Sequence, residues 1–553
     1  MYQAEEFVEG EYDASAYPPI YGGVEMYPYG YGAPVDAVAV VQEEMRAPQS
    51  RIPEVVRNFL VYFHRQMVDK NVAELQNIYE QGYNRLSERF YKSSPWPDVE
   101  LVEPLIGRDL VFQTLYKELY FRHIYAKLQP SLEQRFESYY NYCDLFNYIL
   151  GDDEPFDLEL PHQWLWDIID EFIYQFQSFS QFRSKLKQRS EDEIAFFKAN
   201  PMVWNVHSVL NVLYSLINKS KINEQLQHLD SPAVDGDEAS SDRAVEERSL
   251  YKMLGYFSLV GLLRLHSLLG DYHEAIEAMQ FVQLNKKTFA AGVPGCQVTT
   301  FYYLGFAYLM MRRYSEAILT FCNILLYIQR TKQLLEMKTM QYDSMMKQNE
   351  QMYHLLAIAL TLSPQRIDES VHTLMRTKLG DKLDFLAQGD EKQFEEMFSF
   401  ACPKFLSPVP PNFEERLNFN KEAYRQQLQL FLTEVKQQRI LTEIRSYLKL
   451  YATLPISKLA AFMKKTEDEV RSFLMCFKHK MCSTKQHPAG KASGSSSQLS
   501  TDVDFYVNED MIHIADTKVT RHFGDYFIRQ IHKFEEMAHQ YHADAARLRA
   551  LKL

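Results

Sequence analysis

Apolar positions recur at helical spacing over most of this chain. Phe112, Leu115, Tyr116, Leu119 and His123 follow i, i+3, i+4, i+7 and i+11, which places them on one helix face. Ser131 followed by Gln134 is a capping-box signature and predicts a helix over Leu132–Leu150. Pro95-Trp96-Pro97 breaks the chain between two helical segments. The run from Trp164 to Ile173 is apolar almost all round, so it predicts a helix buried on more than one side, its aromatics serving as core. This helical domain occupies residues 51–230. Ahead of it, residues 1–50 hold nine acids against Arg46 alone, with Tyr-Pro-Gly clusters and no period. They predict a disordered acidic, Tyr-rich tail, or a segment that orders on a partner.

A polar linker at 231–243 precedes a second pattern, over 244–416. Gly270-Asp271-Tyr272-His273-Glu274-Ala275-Ile276 returns as Arg312-Arg313-Tyr314-Ser315-Glu316-Ala317-Ile318, with Leu304-Gly305 and Tyr308 upstream and Phe321 downstream. Those offsets match a tetratricopeptide repeat, in which small residues let two antiparallel helices approach closely. A weaker copy runs from Tyr353 to Leu374, with Pro364 in its turn and Ile367-Asp368-Glu369-Ser370 in its second helix. The copies are spaced more widely than the 34 residues of a regular array, so the pattern predicts a divergent helical stack.

Beyond Pro403, Pro408, Pro410 and Pro411 the pattern changes again. Residues 417–520 read as three helices and a hairpin. The helices cover Lys421–Tyr451, Pro455–Phe462 and a segment opened by the Thr466/Glu469 capping box. A Gly/Ser-rich stretch, 489–500, reads as flexible. Val503–Val507 and Met511–Ala515 alternate around Asn508-Glu509-Asp510, the signature of a β-hairpin. Three helices and a hairpin make a winged helix. The last segment, 521–553, predicts one long helix. Phe527, Ile531, Phe534, Ala538, Tyr541, Ala545 and Leu548 are spaced alternately by four and three, an a/d seam that must pack on another helix. The fold class expected is therefore mainly α: a tetratricopeptide-like helical-repeat stack, a winged helix with a small β-hairpin, and a long C-terminal helix.

Composition narrows the function. With 46% hydrophobic and 24% charged residues over 553, the chain can bury a large core. No apolar run approaches the roughly 20 residues that span a bilayer, and the acidic N-terminus resembles no targeting signal. The six cysteines sit mostly among bulky apolar residues, as buried free thiols of a reducing compartment do. A cytoplasmic protein with no membrane partner is expected. The net charge of −13 argues against wholesale coating of nucleic acid.

The sequence holds no phosphate-binding glycine loop, no dinucleotide fingerprint and no His-Glu-x-x-His helix, so neither an enzyme nor a cofactor is expected. Cys476, His479, Cys482 and His487 offer four soft ligands, but Cys476 sits among Phe473, Leu474 and Phe477 as a core thiol would, and no metal site is expected. Residues 436–491 carry twelve Lys or Arg against four acids, a net +8. Lys458, Lys464, Lys465, Arg471, Lys478 and Lys480 are candidate contacts to RNA phosphates or to an acidic partner protein, and both readings stand.

A helical stack that runs into a winged helix and a terminal helix resembles the PCI domain of proteasome-lid, signalosome and translation-initiation-factor-three subunits. Longer strings carry a closer resemblance: Ser131–Cys143, Trp164–Phe176, Trp204–Asn211 and Asp510–Asp516. They are similar to the L-subunit family of translation initiation factor three. This likeness covers most of the chain from about residue 52. It implies a non-catalytic scaffold subunit whose partners are sister subunits with PCI domains and the small ribosomal subunit, with ribosomal RNA or mRNA as candidate contacts. It also implies winged helices packed side by side in an arc and terminal helices joined in a bundle. A lid or signalosome subunit is the alternative. A winged-helix regulator of nucleic acid fits less well, because the helix that would enter the groove begins with Glu467-Asp468-Glu469.

Overall fold

The computed structural model describes residues 52–151, 158–228, 249–282, 292–338, 342–414, 418–485, 496–499, 503–516 and, near the C-terminus, 527, 530–535, 537–539 and 541–542. The tail 1–50 and the linker 231–243 lie outside the described residues. Two units emerge, one ending at Gln429 and the other formed by 362–364 with the chain from Leu430.

In the first unit the capping signatures set the helix starts. Ser131 accepts from Gln134 N while the Gln134 side chain accepts from Ser131 N, opening Leu132–Leu150. Ser190 and Glu193 close a second box ahead of Glu191–Ala199. Phe112, Leu115, Tyr116, Leu119 and His123 are all buried on the Leu110–Lys127 helix. Burial holds the His123 imidazole below its ordinary pKa. The helix His162–Ser184 is buried on several sides, with Trp164, Ile169 and Phe176 fully enclosed.

One buried polar network crosses this core. The Glu118 carboxylate has no exposed side-chain surface and pairs with Arg122. It also accepts from the Trp164 indole at 3.3 Å and the Tyr142 hydroxyl at 3.3 Å. A charge so enclosed persists only because donors surround it. Nearby Glu171 accepts from the Gln175 side chain at 3.0 Å, and burial pushes its carboxyl up to about 8.

The repeat copies share a turn geometry that their sequences do not share. Gly270 and Arg312 occupy equivalent positions after the helices Ser249–Leu269 and Pro294–Met310, and both adopt left-handed backbone, at φ 83° and 63°. The residue after each donates its N–H five residues back, Asp271 to His266 at 2.9 Å and Arg313 to Tyr308 at 2.9 Å. This is a Schellman-type closure. The second helices follow, Tyr272–Glu277 and Tyr314–Lys338. The small residues act as the repeat predicts: Ala275 and Ala317 are fully buried, and Gly305 lies against the Phe321 ring. In the weaker copy Asp368 is the N-cap of Glu369–Leu379, not a helical residue, because its carboxylate accepts from Ser370 N.

The second unit holds the core of the winged helix. The helix Glu422–Leu448 leads through the strand Thr453–Pro455 to Ile456–Met463 and Glu467–Met481. Hairpin strands Val503–Asn508 and Met511–Asp516 pair antiparallel, Asn508 opposite Met511, and Thr453–Pro455 adds to the far side of the second. Leu448, Leu454, Ile456, Leu459, Val470, Leu474, Phe477, Phe505 and Ile512 form one core. Residues 496–499, which Gly/Ser content reads as flexible, instead pair antiparallel with Cys482–Lys485. A ladder needs only backbone donors and acceptors, so weakly apolar residues can form it.

Candidate docking and nucleic-acid surfaces

Seam residues on the terminal segment that fall among the described residues are exposed. Phe527 is 60% exposed, Ile531 55%, Phe534 64% and Tyr541 74%, and Ala538 is exposed with them. Ala545 and Leu548 lie outside the described residues. Residues 530–535, 537–539 and 541–542 are helical, so the apolar positions recur on one stripe. A single exposed large apolar residue is ordinary; a repeated stripe of them is the kind of surface a partner helix would cover.

The six basic candidates divide into two groups. Arg471 pairs with Asp510 and donates to the Glu509 carbonyl at 3.3 Å, tying the third helix to the wing turn. Lys478 donates to the Phe505 carbonyl at 2.7 Å, and Lys480 to Glu434 at 2.6 Å and to Gln437. These three are internal ties of the winged helix. Lys458, Lys464 and Lys465 are exposed. Lys464 ends its helix in left-handed backbone, φ 52°, turning itself and Lys465 outward from the helix end. The Thr466/Glu469 capping box forms as the spacing predicts, and the hydrogen bond from Thr466 N, with Lys465 nearby, holds the Glu469 carboxyl below its ordinary range.

Sequence reasoning missed an aromatic group beside these lysines. The Tyr447 and Phe462 rings stack with centroids 5.5 Å apart, Tyr451 and Phe462 stack at 6.3 Å, and Lys458 Nζ lies 5.3 Å from the Tyr451 centroid. The residues come from separate elements, so no local motif announces them.

Of the four soft ligands, Cys476 is a partly buried free thiol and His479 is exposed on the same helix. The side chains of Cys482 and His487 lie outside what is described. Among the described residues, His273, Glu274 and Glu277 are the one group of ligand-type side chains close enough to share an ion, all on a six-residue helix. Burial pushes the Cys322 thiol up to about 11 and Cys402 up to about 12, as expected of inert core cysteines. No helix among the described residues is long and apolar enough to cross a membrane.

Residues 134–534 match the family described as RNA polymerase I-associated factor PAF67. Proteins named eukaryotic translation initiation factor 3 subunit L from Xenopus tropicalis and Homo sapiens are each 54% identical to this chain, over 97% of it and 98% of their own length. The Nematostella vectensis protein of that name is 56% identical over 88% of the chain and 92% of its own. The chain belongs to the eukaryotic translation initiation factor 3 subunit L family. Its fold, a helical-repeat stack with a PCI-type winged helix, is the one the resemblance implied. The PAF67 match takes in the whole winged helix and ends at Phe534, inside the seam shared by this subunit L family member.

Proposed function

We propose that this chain is a non-catalytic scaffold subunit of translation initiation factor three. It supports assembly of that complex and its binding to the small ribosomal subunit during initiation of protein synthesis in the cytoplasm. Near-full-length identity of 54% to proteins named as this subunit is the observation that carries the reading. The exposed stripe Phe527, Ile531, Phe534, Ala538 and Tyr541 supports docking on helices of PCI-containing sister subunits, because such a stripe is costly to leave in water. Affinity purification of the tagged full chain with mass identification of partners tests it. Initiation-factor subunits with small-subunit ribosomal proteins are the expected set, and proteasome-lid or signalosome subunits in their place would overturn it.

The winged helix contacts ribosomal RNA or mRNA through Lys458, Lys464 and Lys465, the three basic candidates exposed on its surface. Reversing all three to Glu distinguishes this from docking on an acidic sister subunit. Intact assembly with reduced RNA crosslinking supports RNA contact, and lost assembly with unchanged crosslinking contradicts it.

A further inference from the structure

We propose that the rim of the winged helix carries a stacking site for single-stranded RNA, with the Phe462 ring as its platform and Lys458, Lys464 and Lys465 as its phosphate contacts. The inference rests on the RNA-contact reading above and names the form of RNA and the residue that receives a base.

The platform is assembled from two elements. Tyr447 and Tyr451 come from the end of the Glu422–Leu448 helix and the turn beyond it, and they pack against the winged-helix core. Phe462 comes from the next helix, Ile456–Met463. The rings are nearly parallel, 21° between Tyr447 and Phe462 and 23° between Tyr451 and Phe462. Rings braced in this way lose little freedom when a further ring stacks on them. Phe462 is 37% exposed, and Leu450 nearby in the chain is 74% exposed.

Charge is placed around the ring by the chain itself. Lys458 precedes Phe462 by one helical turn, with Nζ 5.8 Å from its centroid. Lys464 and Lys465 follow within three residues, so their backbone is within roughly 10 Å of the ring, about a Debye length at physiological salt. Glu469 offsets part of the Lys465 charge. An edge ring with a lysine stem packed on it also occurs in proteins that bind nothing. Here the ring adjoins three exposed cations inside a segment of net +8 in a chain of net −13. An acidic protein surface would use the cations and have no need of the ring. A nucleobase uses both, and base–aromatic stacking tolerates any sequence. Bases inside a duplex present no free face, which selects the single strand.

The test is fluorescence anisotropy of a labelled oligouridylate with the full chain, over a salt series. Phe462→Leu keeps the apolar bulk and removes the π face. It is expected to weaken binding about tenfold with an unchanged salt slope. Lys464→Gln with Lys465→Gln is expected to flatten the slope by about 1.4, at about 0.7 per phosphate on a single strand. Equal binding by wild type and Phe462→Leu overturns the platform while leaving charge-based RNA contact standing. No binding by wild type overturns both. Duplex RNA or polyglutamate competing as well as oligouridylate also overturns the platform, the latter in favour of acidic-protein docking. Circular dichroism confirms that each variant is folded.

Discussion

Gly305 sets how closely the helices Pro294–Met310 and Tyr314–Lys338 approach, because it lies against the Phe321 ring. A Cβ built on Gly305 would lie 2.5 Å from Cε1, 2.7 Å from Cζ and 2.9 Å from Cδ1 of Phe321. Ordinary carbon contacts need about 3.5 Å or more, so the ring must move by about 1 Å. Phe321 is fully enclosed, which leaves little room for that. Overpacking of this kind costs about 1–3 kcal/mol. Alanine for glycine inside a helix returns up to about 1 kcal/mol. Gly305→Ala should therefore destabilise the helices Pro294–Met310 and Tyr314–Lys338 by about 1 kcal/mol net. In a Phe321→Leu background the clash is largely relieved, and the same substitution should be neutral or stabilising. Native-state hydrogen exchange over the two helices reads the change locally, which suits a chain of two units better than one global melt. The same sign in both backgrounds would refute the claim that close approach at Gly305 sets the repeat packing.

Glu171 holds its proton at neutral pH through burial, so its folded pKa, about 8, stands above the unfolded value. Its stabilising protonated form is fully present below the unfolded pKa and is lost as pH rises through about 8. Glu171→Gln should flatten the decline in urea-unfolding midpoint across that window. Glu118→Ala removes the nearer of two carboxylates beside Arg122, leaving Asp167 at 3.6 Å, and strips the Trp164 and Tyr142 donors of their acceptor. It should cost about 3 kcal/mol or more, read by hydrogen exchange over the helix Leu110–Lys127, and a change below about 1 kcal/mol would contradict the enclosed pair. Arg312→Gly relieves a left-handed residue that the first copy already supplies as Gly270, and should raise stability by about 1 kcal/mol in the same assay.

Periodic and local signals were legible in the chain. Capping boxes at Ser131 and Thr466 marked helix starts because side chain and backbone meet within three residues. The hairpin followed from alternation around Asn508-Glu509-Asp510. The repeat followed from small residues at fixed offsets. What was not legible depends on partners distant in sequence. Arg471 finds Asp510 39 residues away, and Lys480 finds Glu434 46 residues away. Composition alone therefore presents all six basic candidates as one face. Thr453–Pro455 is too short to read as a strand until the hairpin supplies its ladder. The stack of Tyr447, Tyr451 and Phe462 needs two helix ends to converge.

Docking through the terminal seam predicts that charge placed on its apolar stripe releases the chain from its partners. Phe527→Asp, Ile531→Asp and Phe534→Asp together place charge on side chains that are already exposed in the chain alone, at 60%, 55% and 64%. The triple variant should keep the wild-type circular dichroism and melting temperature. Co-purification of tagged variant and wild type from the same cells, quantified by mass spectrometry, decides the matter. Initiation-factor subunits should fall at least tenfold on the variant. Retention at wild-type levels would contradict docking through the seam and move the anchor to the helical-repeat stack or the winged helix.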